Sequence, residues 1–222
     1  MSFEILPDEL LLIICSYLNG IDVLRAFYDL NTRLNSTINY YAKQMNLSRI
    51  RYSQFNQYCN MLIQTNLGLQ LRSLSLSNNR MTSNRIMLFT EQVWPLNEKL
   101  PNLECLALSE IDYDELNMFL TNLMSFEKLT ELSITYDGSF CDKPVSEIFR
   151  NLIKNVSSLR KIIFTNVFLS LESIYDWNND TITHMTVRIK TTDDLIIILQ
   201  HFTNLHFINV SIEKFEIPHA NQ

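Results

Sequence analysis

Two hydrophobic rhythms divide the chain. Over residues 1–44 apolar side chains recur at helical spacing; after residue 45 they come in short strand-like bursts separated by further helical stretches. In the opening segment Leu10, Ile13, Ile14, Tyr17 and Leu18 follow the spacing of a helix. Leu6-Pro7 precedes them. Proline lacks an N–H and disfavours helical backbone in the residue before it, so Pro7 marks the helix start, where the missing donor costs nothing. Asp8 and Glu9 put negative charge on the positive end of the helix dipole. Asn19-Gly20 stops the helix, and Asp22 can cap the next one. The pattern predicts three short helices over about 8–18, 22–30 and 32–44. A unit of this size cannot hide all its apolar side chains, which predicts a neighbour packed against it, either a partner protein or the rest of the chain.

The second rhythm is Leu-x-x-Leu-x-Leu with other apolar residues admitted. It stands at Leu47-Ile50-Tyr52, Leu71-Leu74-Leu76, Leu103-Leu106-Leu108, Leu129-Leu132-Ile134, Leu159-Ile162-Phe164, Ile182-Met185-Val187 and Leu205-Ile208-Val210, recurring every 23 to 32 residues. The last two apolar residues of each motif are two apart and so share one face of a strand. Helical patterns lie between: Leu116, Phe119, Leu120 and Leu123 within 114–124; Ile148, Phe149, Leu152, Ile153 and Val156 within 145–156; and Leu195, Ile198, Leu199 and Phe202 after Thr192-Asp193-Asp194. Residues 53–66 and 83–93 carry weaker ones. One strand plus one helix per unit, seven times, predicts an α/β fold: a parallel sheet with helices on one side, its units stacked because none can bury its apolar face alone. Loops are expected near 94–100 and 137–144. The predicted division is a helical domain over 1–44 and a repeat domain over 45–222. The seventh strand, about 205–212, is followed by ten residues, 213–222, with no helical pattern to cover the last apolar face.

Composition narrows what such a scaffold does. Three glycines in 222 residues argue against Gly-rich phosphate loops and against an all-β fold of tight hairpins. A net charge of −6 with no Lys/Arg run argues against nucleic-acid binding. The longest apolar run, Leu10 to Cys15, is too short to span a membrane, and no secretory signal opens the chain. Cys15, Cys59, Cys105 and Cys141 make no Cys-x-x-Cys pair and read as reduced thiols. A cytoplasmic or nuclear location follows. The four histidines have no metal-ligand spacing, and no hydrolase elbow, Walker loop or dinucleotide fingerprint exists. Asp112/Asp114 and Asp193/Asp194 stand at helix starts, where capping accounts for them. No catalysis, cofactor or metal is expected.

Leu6-Pro7-Asp8-Glu9-Leu10, then Ile14, Tyr17-Leu18, Asp22-Val23 and Leu30-Asn31-Thr32-Arg33-Leu34-Asn35-Ser36-Thr37-Ile38 together resemble an F-box in order and spacing. Leu34 stands where that family usually carries a bulky aromatic, and Thr32 where a basic residue is frequent. Leu71-Arg72-Ser73-Leu74-Ser75-Leu76-Ser77-Asn78-Asn79 is similar to the leucine-rich-repeat consensus; the other units lack its asparagine, so the array resembles an irregular one. The resemblance implies a short three-helix F-box followed by a solenoid with its helices on the convex side. It also implies a non-catalytic substrate receptor of a cullin-RING ubiquitin ligase of the SCF type. The F-box would dock on a Skp-family linker, and through it on cullin and RING subunits, with Leu6, Pro7, Leu10, Ile14, Leu18, Val23, Leu24 and Leu34 as interface candidates. The repeats would hold a protein substrate.

Strand alternation sets out three rows on the concave face: Arg49, Ser73, Cys105, Glu131, Lys161, His184, Phe207; Arg51, Ser75, Ala107, Ser133, Ile163, Thr186, Asn209; and Ser53, Ser77, Ser109, Thr135, Thr165, Arg188, Ser211. Lys161, Ile163, His184, Arg188, Phe207 and Asn209 are the candidate substrate contacts. The competing reading is a non-catalytic repeat scaffold whose helical segment merely caps its N-terminal end.

Overall fold

A computed structural model describes residues 5–18, 20–48, 50–78, 84–137, 145–171 and 179–213. Four helices come first: α1 (Asp8–Ser16), α2 (Gly20–Phe27), α3 (Thr32–Thr37) and α4 (Asn39–Ala42). Strand β1 (Gln44–Asn46) follows directly, so the expected break after residue 44 falls inside a strand. The chain continues through α5 (Tyr52–Gln64), α6 (Leu67–Gln70), β2 (Ser73–Ser77), α7 (Arg85–Gln92), α8 (Leu96–Lys99), β3 (Cys105–Ile111), α9 (Tyr113–Leu123), β4 (Glu131–Tyr136), α10 (Val145–Asn155), β5 (Lys161–Leu169), β6 (His184–Ile189), α11 (Thr192–His201) and β7 (Phe207–Ile212).

The seven strands form one parallel sheet in strictly sequential order, β1 to β7. Its register stacks like residues. Leu74, Leu106, Leu132, Ile162 and Met185 lie side by side, and Leu76, Leu108, Ile134 and Phe164 follow one alternation on. All of these are buried. Each such side chain contributes roughly 1.5–3 kcal/mol on leaving water, with cover from the neighbouring strands and from helices such as α7 on β2 and α11 on β6. The residues between them point to an open face.

Capping chemistry fixes several helix starts. Pro7 stands at the N-cap of α1 with Asp8 and Glu9 in its first turn. The Asp112 carboxylate accepts the Glu115 N–H at 2.8 Å while Glu115 reaches back to the Asp112 N–H. Thr191 and Asp194 form the same reciprocal box on α11. Asn31 caps α3 through the Leu34 N–H. Asp22, by contrast, lies inside the first turn of α2, which already begins at Gly20.

The first strand is misplaced by the leucine pattern. It does not lie at 47–52 but at Gln44–Asn46, where Met45 pairs with Leu74. Leu47 extends this inward row, its N–H bonding the Ser75 carbonyl. A methionine fills the position searched for leucine, so the pattern shifted downstream. Arg51 instead stands at the N-cap of α5, and Ser53 lies within that helix; Arg49 lies outside the described residues, and Gln44 and Asn46 stand beside Ser73 and Ser75, where Arg49 and Arg51 were expected.

Helices also fail to recur once per unit: 170–171 and 179–183, the described residues between β5 and β6, contain none, and none follows β7 among the described residues. The predicted loop at 94–100 holds the short α8. Residues 138–144 and 214–222 lie outside the described residues.

Candidate functional site

Two surfaces collect the candidate residues. The first is α1. Only Leu11 and Cys15 of this helix are buried; Leu10, Leu12, Ile13, Tyr17 and Leu18 on and after it are exposed, as is Ile5 before it. Tyr17 is 86% exposed. Leu6 and Ile14 are half-buried and Pro7 is exposed. Val23, Leu24 and Leu34 have the opposite fate. At 0%, 1% and 2% exposure they belong to the interior of this chain, together with Ile38, Ala42 and Met45.

The eight F-box candidates therefore separate into five that reach the surface and three that hold the helices to the sheet. For those three, an outward docking role is corrected. Leu34 packs inward, so its lack of an aromatic ring bears on the core. The start of α1 is held by Arg33, whose guanidinium pairs with Asp8 at 2.8 Å and also donates to the Leu6 carbonyl. Arg33 thereby orders the Leu6-Pro7 entry.

The second surface is the open sheet face. The first row, Ser73, Cys105, Glu131, Lys161, His184 and Phe207, runs unbroken across six strands, as does the middle row through Ile163, Thr186 and Asn209. The third row breaks. Asn166 takes a left-handed conformation (φ 65°), which asparagine tolerates better than most residues, and the β5–β6 register shifts between Ile163 and Phe168. Phe168, not Thr165, therefore stands beside Arg188. The Arg188 guanidinium lies over the Phe168 ring, 4.5 Å from its centroid. This residue was invisible to strand alternation because a bulge resets the count.

Lys161 donates to the Glu131 carboxylate at 2.7 Å. The His184 and Phe207 rings stack with centroids 6.0 Å apart and planes 27° from parallel. Beside them Lys161, Ile163, His184, Thr186 and Phe207 line a depression of about 160 Å³. Toward β1 the middle row turns small: Thr165 donates to Thr135 at 3.1 Å beside it, and Ser133, Ala107 and Ser75 follow one another across β4, β3 and β2.

Burial, then the nearby Glu131 and Glu104 carboxylates, push the Cys105 thiol up, so it is a poor nucleophile. Burial pushes the Cys59 thiol up to about 12. Among the described residues no three His, Cys, Asp or Glu side chains converge as a metal site would require. None of the described helices is long and apolar enough to cross a membrane. No protein-family model matches this chain, and no curated protein matches it.

Proposed function

We propose that the protein is a substrate-recognition adaptor of an SCF-type cullin-RING ubiquitin ligase, its N-terminal helices docking on a Skp-family linker and its leucine-rich-repeat-like sheet binding the substrate. The observation that carries this reading is the outward apolar surface of α1. Leu10, Ile13 and Leu18 are 46%, 53% and 41% exposed, although the helix has a core beneath it. A contiguous apolar patch beside an ordered Leu6-Pro7 entry is the physical form of a docking site. The adaptor acts by tethering, raising the effective concentration of substrate lysines near a conjugating enzyme bound at the RING subunit.

Co-expression with a Skp-family linker and affinity capture tests this. Capture should be retained by the parent and reduced at least tenfold by Leu10→Ser with Ile13→Ser, while circular dichroism stays unchanged. Absence of capture, or capture indifferent to these changes, sinks the adaptor reading. The scaffold alternative draws on a different observation. Val23, Leu24, Leu34 and Ile38 share one interior with Met45 of β1, as a terminal cap would. Under that reading the exposed leucines are dispensable for every interaction of the repeats.

A further inference from the structure

We infer that the open face over β5–β7 recognises an extended peptide in which one large apolar side chain is followed or preceded, two positions away, by an anionic one. This rests on the substrate-receptor reading and gives it a substrate class.

The depression supplies the apolar half. Its walls are Ile163, the stacked His184 and Phe207 rings and the Lys161 stem, and Phe207 is 52% exposed. A volume of about 160 Å³ is close to that of an apolar cavity known to take up one benzene, so a single phenylalanine- or leucine-sized group fills it.

Arg188 supplies the anionic half. Across this part of the face the cations are Lys161, Arg188 and Lys190. Lys161 is paired with Glu131, whereas Arg188 is half-buried within β6 and Lys190 is exposed just beyond its end. Among the described residues no carboxylate pairs with Arg188. The chain as a whole carries −6, so one uncompensated guanidinium on its half-buried face is a local inversion of charge. The guanidinium carbon lies 4.5 Å from the Phe168 ring centroid, and a guanidinium presents its N–H groups as a fork that suits a bidentate acceptor.

Spacing joins the halves. Thr186 borders the depression, and Arg188 is two residues further on the same face of β6, about 7 Å along the strand. An extended ligand repeats its own side-chain direction every two residues over the same distance. Its anchor and its anion therefore face the sheet together at separation two and point to opposite sides at separation one. Carboxylate and phosphate both satisfy a guanidinium fork, so acidic and phosphorylated segments share this chemistry.

The test uses the full chain and labelled serine–glycine peptides read by fluorescence anisotropy. Each carries one phenylalanine or leucine and one glutamate or phosphoserine, at separations of one, two and three, in both orders. Separation two should bind best, and removing either group should weaken binding at least roughly tenfold. Arg188→Ala should erase the advantage of the anion, and Phe207→Ala that of the anchor. Arg188→Gln, a polar replacement that removes the charge and the guanidinium fork, guards against a merely unfolded variant when its circular dichroism matches that of the parent. The stronger of the glutamate and phosphoserine arms identifies the natural source of the anion. Binding that ignores separation, binding unchanged in Arg188→Gln, or no binding by any peptide overturns the inference. The Leu10→Ser, Ile13→Ser variant should bind these peptides like the parent. Failure of the parent chain to capture the linker while it binds the peptides thus counts against the adaptor reading alone, and linker capture without peptide binding against this inference alone.

Discussion

Glu115 is a carboxylate in an unfavourable place. It is 7% exposed, accepts from the Asn78 amide and the Asp112 N–H through one oxygen, and leaves the other, Oε1, buried without a partner. Burial raises its pKa most; the Asp112 N–H opposes this, the Asp112 charge adds to it, and the Asn78 amide opposes it. A folded-state pKa above the unfolded one means the native chain holds the proton more tightly. The contribution to stability is then fully present below the ordinary carboxylate range near pH 4 and is lost as pH rises through the folded value. Glu115→Gln removes that loss. In urea unfolding the variant should gain on the parent between about pH 4 and pH 7, by on the order of 1 kcal/mol, with no gain at the acid end. A constant difference across that range would refute the assignment. The capping half of this residue was legible from Asp112 and its helix start; the burial was not, because Asn78 comes from β2's end and meets Glu115 only through the fold.

At the scale of an element, α1 and its neighbours divide apolar residues that look alike in sequence. Leu10 and Leu24 are both leucines at helical spacing, yet one is 46% exposed and the other 1%. Their substitutions should separate accordingly. Leu24→Ala and Leu34→Ala remove buried methyl groups and leave a cavity, costing about 2–5 kcal/mol in urea unfolding. Leu10→Ser and Ile13→Ser should each change stability by under about 1 kcal/mol. Equal costs would mean that α1 packs inward. The sheet elements teach a related lesson. Six of the seven strands follow the apolar motif, but β1 was hidden by Met45, and the β5 bulge put Phe168 where counting placed Thr165.

Across the whole molecule, one continuous hydrophobic interior runs from Leu11 in α1 to Phe202 after α11. The helices α2 and α4 lean on β1, and every later strand leans on the one before. Contacts of this kind couple neighbours, so the chain should unfold in a single transition. Thermal melting followed by far-ultraviolet dichroism and by the fluorescence of Trp94 and Trp177 should give coincident midpoints, and Leu34→Ala should lower both together. Two separated transitions would show that the N-terminal helices and the sheet are independently stable. At the far end the pattern weakens: Ile208, Val210 and Ile212 occupy the inward row of β7 but are only half-buried, whereas Met185, Val187 and Ile189 before them are buried.

The chain's own letters determined the two rhythms, the α/β class, the parallel repeat, the caps at Pro7 and Asp112, and the first and middle rows of the open face from β2 to β7. These are local matters, set by spacing, dihedral preference and alternation within a few residues. Only the tertiary structure decided which F-box candidates are core and which are surface, where β1 begins, and that Arg188 rests on Phe168. Each of those depends on what a distant segment covers or opposes, and burial is a property of the pair, not of the residue.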